Sequence, residues 1–278
     1  MPDKEKIIPI LSLPLAAFTI TASVAGLLTS GFYSRETHAW AVQSFGQDII
    51  NLFLIAPLLL LTSILNYQKK KVSIPVWAGT NLYLAYTFTI YCFDIHFNQL
   101  FLIYCFCLGL SLFSFIYFLT SLRNESPGSD LSHRTPLRYI GIYFLIISVL
   151  FYFLWLSDII PSIVSNSIPA NLKQTGLFTN PVEVLDLSLI LPGVFLCGIL
   201  LLNGKSIGFV MAPVILTFII LMDITICVLT IYASARGMAI DISIAIVMLM
   251  LAIFSTALLI IFFMNIRSDR LRYYNDHD

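Results

Sequence analysis

The chain has 278 residues, 59% of them hydrophobic and 11% charged, with a mean hydropathy of +0.92. No soluble domain keeps a polar surface on that composition, so the chain reads as an all-α integral membrane protein whose first partner is the lipid bilayer. Its 15 Lys and Arg balance its 15 Asp and Glu, which removes the basic field that nucleic acid binding requires.

A membrane-crossing helix needs roughly 20 predominantly apolar residues, and about eight segments qualify. The first, about 8–30, contains Ser23-Val24-Ala25, which resembles a small-x-small signal-cleavage site. Asp3 and Glu5 and the length of the apolar run argue for a retained helix instead. The second, about 46–66, opens on Asp48-Ile-Ile-Asn51-Leu-Phe-Leu-Ile-Ala-Pro57. Ser44 and Gln47 before it have capping-box spacing, which predicts a helix start there.

The third and fourth segments, about 73–93 and 98–122, are rich in aromatics, including Trp77, Tyr83, Tyr86, Tyr91, Phe101 and Tyr104. Most of these fit interfacial anchoring and packing. Tyr83 and Tyr86, with Asn81 close by and Gly79 permitting close approach, are placed to line an interior pocket. Asp94, His96, Asn98 and Gln99 form the short turn between the two segments.

Asn124-Glu-Ser-Pro-Gly128 then punctuates the chain, dividing it into a first four-helix half, 1–125, and a second, 126–278, with no soluble domain. After a fifth segment at about 138–160 and a turn at Pro169-Ala170-Asn171, the sixth, about 182–203, opens on Glu183-Val-Leu-Asp186-Leu-Ser-Leu-Ile-Leu-Pro192. This phrase matches that of the second segment without a gap, 135 positions on: acid, then Asn or Asp three later, Leu, and Pro six further. The match predicts a 4+4 parallel tandem repeat. The seventh and eighth segments, about 207–233 and 240–265, follow, and Asp223 stands inside the seventh.

Lys and Arg crowd one side of this arrangement: Lys4, Lys6, Lys69 to Lys71, Arg123, Arg134, Arg138, Lys205, Arg267, Arg270 and Arg272, against Arg35, Lys173 and Arg236 on the other. The positive-inside bias therefore puts both termini in the cytoplasm. The opposite, outer side is acidic, with Glu36, Asp48, Asp94, Asp158, Glu183, Asp186 and Asp241, a field that concentrates cations.

Within the phrases, Asp48 and Glu183 fit helix-start chemistry, Asn180 and Pro181 serving as cap and first helical residue. Asn51 and Asp186 lie on the same face as the acids and roughly two turns in, too deep for caps. A carboxylate at Asp223 costs about 2.5–3.5 kcal/mol in the bilayer unless it is protonated, paired or hydrated; Thr225 or a neighbouring carbonyl is the simple partner. The candidate ligand-binding set is Asp48, Asn51, Glu183, Asp186, Asp223, Tyr83, Tyr86 and Asn98. Any metal among them is left open.

The four histidines, His38, His96, His133 and His277, fall outside the eight segments, so a histidine-ligated intramembrane heme is not expected and no cofactor is predicted. The five cysteines lie in apolar runs and read as buried small hydrophobes. No catalytic triad, di-iron histidine box or Walker sequence is present.

Phe45-Gly-Gln-Asp48-Ile-Ile-Asn51-Leu with Pro57, Phe97-Asn98-Gln-Leu-Phe-Leu102, and Asn180-Pro-Val-Glu183-Val-Leu-Asp186-Leu with Pro192 together resemble a family of bacterial multispan membrane proteins to which no activity is attached. The resemblance covers about residues 40–220 and implies the bacterial cytoplasmic membrane. The leading functional expectation is a transporter or channel-like protein with an outer-facing acidic cavity for a cation or protonatable small solute. The alternatives are a non-enzymatic sensory or accessory protein and, more weakly, a lipid-modifying enzyme using Asp186 or Asp223 as acid or base. The oligomeric state is left open.

Overall fold

The apolar periods become helix throughout. The computed structural model describes residues 4–70, 72–122 and 135–275, with side chains described over 7–70, 72–122 and 137–265; the Asn124–Gly128 linker, Lys71, His133 and the basic residues at both termini lie outside the described side chains. The long helices are α1 (Lys4–Leu28), α2 (His38–Tyr67), α3 (Ser73–Asp94), α4 (Phe101–Ser121) and α5 (Thr135–Val164) in the first stretch. After the short α6 (Ala170–Thr175) come α7 (Pro181–Leu202), α8 (Ser206–Ala235) and α9 (Ser243–Asn275).

Seven of these are long and apolar enough to cross a membrane. The eighth long helix, α3, has a comparable 22 residues, but its sequence is more polar because it spends its surface on other helices. Trp77, Thr80, Asn81, Tyr83, Tyr86 and Tyr91 are all buried in it. Helices in lipid gain no hydrophobic drive from meeting one another, so small residues and hydrogen bonds decide which faces pack. Gly79 is the plainest example: a Cβ there would sit 2.6 Å from the Thr217 Cβ and 2.6 Å from the Val214 carbonyl of α8.

Two rings of four result. In one, α1 packs on α2 and α4, and α3 packs on α2 and α4; in the other, α5 packs on α7 and α9, and α8 on α7 and α9. The rings meet along α3 and α8, with α2 also touching α8. Hydroxyls inside the helices are satisfied mostly on their own carbonyls four residues back, as at Ser12, Ser44, Ser111, Ser148, Thr217 and Thr225, which lets them be buried without a partner helix.

Several sequence expectations are corrected at helix ends. The α2 helix starts at His38, capped by Thr37, whose hydroxyl accepts from the Trp40 N–H at 3.3 Å. Ser44 and Gln47 therefore form no capping box: Ser44 bonds back to Trp40 O, and Gln47 faces other helices. Asp48 is three turns into α2 rather than at its start, and Asn51 is deeper still, roughly 20 Å along the axis from His38. His38 is likewise part of a crossing helix. Pro169-Ala170-Asn171 begins α6 instead of a plain turn. The second phrase does start a helix as expected, since Asn180 Oδ1 accepts from Val182 N at 3.1 Å and Pro181 is the first helical residue. At the head of α9, Asp241 Oδ1 accepts from Ser243 N at 2.9 Å, which holds that exposed carboxyl below its usual range.

The two phrases share a backbone feature that spacing alone does not announce. Each α-helix widens for one turn into a π-helix, over Asn51–Ile55 in α2 and Asp186–Ile190 in α7, where Ala56 N reaches Asn51 O and Leu191 N reaches Asp186 O. A proline lies one residue further on in both cases. Pro57 and Pro192 have no N–H, and their rings crowd the carbonyl four residues back, so the inserted residue of a π turn relieves the clash without breaking the helix.

Candidate functional site

Three polar knots form where these helices meet. The first lies inside the first ring. Asp48 has 0% exposure; its Oδ2 accepts from Tyr33 OH at 2.6 Å and its Oδ1 from Tyr91 OH at 2.8 Å. Gly26 of α1 leaves the space for it, because a Cβ at that position would collide with Asp48 Oδ2 and lie 2.8 Å from Tyr33 OH. Both oxygens are held by phenols, and the knot is closed.

The second knot bridges the rings. Gln47 Nε2 donates to Asn51 Oδ1 at 3.0 Å and to Tyr83 OH at 2.8 Å. Tyr83 OH lies 2.7 Å from Thr225 Oγ1 of α8. Because the Thr225 hydroxyl donates to Leu221 O, the phenol accepts from Gln47 and donates to Thr225. Asn51, Gln47, Tyr83 and Thr225 thus form one directed chain from α2 through α3 to α8.

The third knot centres on the second ring and takes one partner, Tyr86, from α3 of the first. Asp186 accepts from Tyr86 OH at 3.2 Å on Oδ1 and from Trp155 Nε1 at 3.0 Å on Oδ2. Asp223 is 3% exposed, and its Oδ2 has no hydrogen-bond partner. The expected bond to Thr225 is absent because that hydroxyl is committed to Leu221 O and Tyr83. Asp186 and Asp223 line one cavity of about 60 Å³, whose other walls include Phe151, Val194, Phe218 and Met222. A second cavity of about 100 Å³ lies between the rings, lined by Trp40, Gln47, Tyr86, Tyr91 and Thr225 among others. Met222 and Ile226 line both, so the two spaces are neighbours across α8.

Of the eight candidate residues, Asp186, Asp223 and Tyr86 come together. Asn51 and Tyr83 share the neighbouring chain. Asp48 stands apart in the first ring. Glu183 serves the helix start, accepting from Asn180 Nδ2 at 2.8 Å. Asn98 shapes a loop, its Oδ1 accepting from Leu100 N at 2.9 Å. Glu36, part of the expected acidic field, is taken up in joining loops: it accepts from His96 N at 2.8 Å and meets His96 Nδ1 at 2.8 Å. Among the described residues, no group of three or more His, Cys, Asp or Glu side chains is placed to hold a metal ion.

No protein-family model, curated protein or solved structure matches the chain. The function has to be read from the geometry.

Trp155 and Tyr33 were missed by sequence reasoning. Trp155 lies 31 residues before Asp186 on another helix, and Tyr33 lies in the turn between α1 and α2, so no local spacing connects either to its carboxylate. Gln47 had a signal, the i to i+4 interval to Asn51, which the capping-box reading obscured.

Proposed function

We propose that this chain is a transporter or channel-like membrane protein in which Asp186 and Asp223 bind a small cation or a protonatable solute. The observation that carries the reading is Asp223 Oδ2, buried and without a partner, beside a second carboxylate in a cavity. Lys and Arg are confined to the loops and helix ends of this sequence, so no basic side chain of a span is available to neutralise the pair. A carboxylate kept in a membrane interior without such a partner is characteristic of ion and proton pathways. The π turn at Asp186 adds to this, since such turns recur at functional sites.

The halves are read as a parallel tandem duplication, supported by the gapless phrases, the π turn at the same position of each, and the like order of packing in the two rings. The excess of Lys and Arg at one end supports cytoplasmic termini in a bacterial inner membrane.

The test is flux. Purified protein in liposomes carrying gradients of Na⁺, K⁺, ammonium or methylammonium should dissipate at least one of them faster than protein-free liposomes. Asp186→Asn and Asp223→Asn should each abolish that difference while preserving the folded elution profile. Equal rates with and without protein across the series overturn the reading.

A further inference from the structure

Resting on that reading, we infer that the occupant of the Asp186–Asp223 cavity is a small alkylammonium ion rather than a metal cation. A hard cation takes six or more oxygen ligands and gives up its water reluctantly. Here the side-chain oxygens lining the cavity come from Asp186 and Asp223, and the other side chains of its wall are aliphatic, aromatic or thioether: Phe151, Val194, Phe218, Met222 and their apolar neighbours. A metal ion entering this space loses its hydration shell and finds too few replacements.

An alkylammonium fits both parts of the wall. Its N–H donors, two or three depending on substitution, meet free acceptor capacity. Asp223 Oδ2 accepts nothing in the structure, and each oxygen of Asp186 accepts a single bond, leaving a lone pair apiece. Its carbon end meets the apolar wall, to which Phe151 and Phe218 contribute. Trp155 and Tyr86 each hold one oxygen of the Asp186 carboxylate, so the acceptor is oriented before the ligand arrives. This is a site built for one charged head and one short apolar tail.

Size sets the tail. A cavity of 60 Å³ holds only a few water-sized groups, each needing about 10–15 Å³, which admits methylammonium or ethylammonium. With so few heavy atoms the dissociation constant falls near a millimolar at best.

The experiment measures thermal unfolding of the purified full chain in detergent, with about 100 mM chloride salts at constant ionic strength. Tetramethylammonium, which has no N–H donor, is the reference. Ethylammonium should raise the midpoint by roughly 5 °C over that reference, and Na⁺, K⁺ and Mg²⁺ should not. Asp223→Asn should weaken the response by about thirtyfold in concentration, and Val194→Phe, which fills the cavity, should remove it. The unliganded midpoint of each variant reports folding independently. If an inorganic cation produces the Asp223-dependent shift and ethylammonium does not, the ammonium assignment is overturned while the cation-site reading stands. If ethylammonium stabilises wild type and Asp223→Asn alike, the assignment is overturned as well. Absence of any shift with every salt overturns both.

Discussion

Asp48 and Asp223 are both buried carboxyl groups, yet replacing each with leucine should change stability in opposite directions. At Asp223 the substitution removes a polar group whose Oδ2 has no partner, a defect that costs about 1–3 kcal/mol. The leucine also occupies part of a 60 Å³ cavity. At about 24 cal/mol per Å³ the complete filling of that space would return about 1.4 kcal/mol. Asp223→Leu should therefore stabilise the fold by about 2–3 kcal/mol. At Asp48 the same change removes two phenol–carboxylate bonds, at 2.6 and 2.8 Å, and leaves Tyr33 and Tyr91 hydroxyls buried and unpaired. Bonds to a charged group are worth about 1.5–3 kcal/mol each, and the larger side chain must also fit against Gly26, where even a Cβ would not be accommodated. Asp48→Leu should destabilise by at least about 3 kcal/mol. Equilibrium unfolding in mixed micelles, followed by tryptophan fluorescence, measures both. Destabilisation by Asp223→Leu comparable to that of Asp48→Leu would refute the claim that Asp223 is held at a cost to stability.

Two further substitutions test the packing that positions these groups. Gly79→Ala places a methyl 2.6 Å from both Thr217 Cβ and Val214 O, atoms of a neighbouring helix that cannot swing aside, so α3 and α8 must separate; a loss of about 1–3 kcal/mol is expected in the same unfolding assay. Ser12→Ala leaves the Trp77 indole N–H, bonded at 2.8 Å and 1% exposed, without an acceptor. A loss of about 1–3 kcal/mol should accompany a shift in tryptophan emission, and unchanged stability would show that the indole finds another partner.

The helical membrane architecture was legible because it rests on composition and apolar run length, both properties of the chain read one residue after another. Loop positions followed for the same reason, with Gly204 and Gly237 taking positive φ at two of the expected turns. The start of α2 was not legible. Thr37 is a good cap, but the residues between it and Asp48 are mixed enough in polarity to resemble a loop, and what makes them helical is contact with α8 and with Asp94 O through the Trp40 indole. The candidate site was half legible. Depth in an apolar run picked out Asp186 and Asp223, since lipid penalises a lone acid whatever surrounds it. It could not separate them from Asp48, because whether a buried acid is already satisfied depends on phenols brought from other elements.

The paired phrases acquire their meaning from that difference. Ile190, Leu191 and Val194 of the second phrase face a cavity, whereas Ile55, Ala56 and Leu59, their counterparts in the first, are at 0% exposure in a filled core. The deep polar member is a carboxylate only in the second phrase, Asp186; in the first it is Asn51, whose amide oxygen is bound to Gln47. In the same 135-residue register the position of Asp223 on α8 falls on Phe88 of α3, at 0% exposure. Under the duplication proposed above, each half carries the frame of a site: a π turn followed by a proline, a deep polar side chain at its start, and a position on the third helix. The second half keeps both acids and the space between them. In the first half the corresponding positions are an amide, Asn51, and a phenyl ring, Phe88, while Asp48 is held by two tyrosines. On that reading the halves differ in how their buried acids are satisfied: Asp48 is held by two phenols, whereas Asp223 Oδ2 has no partner.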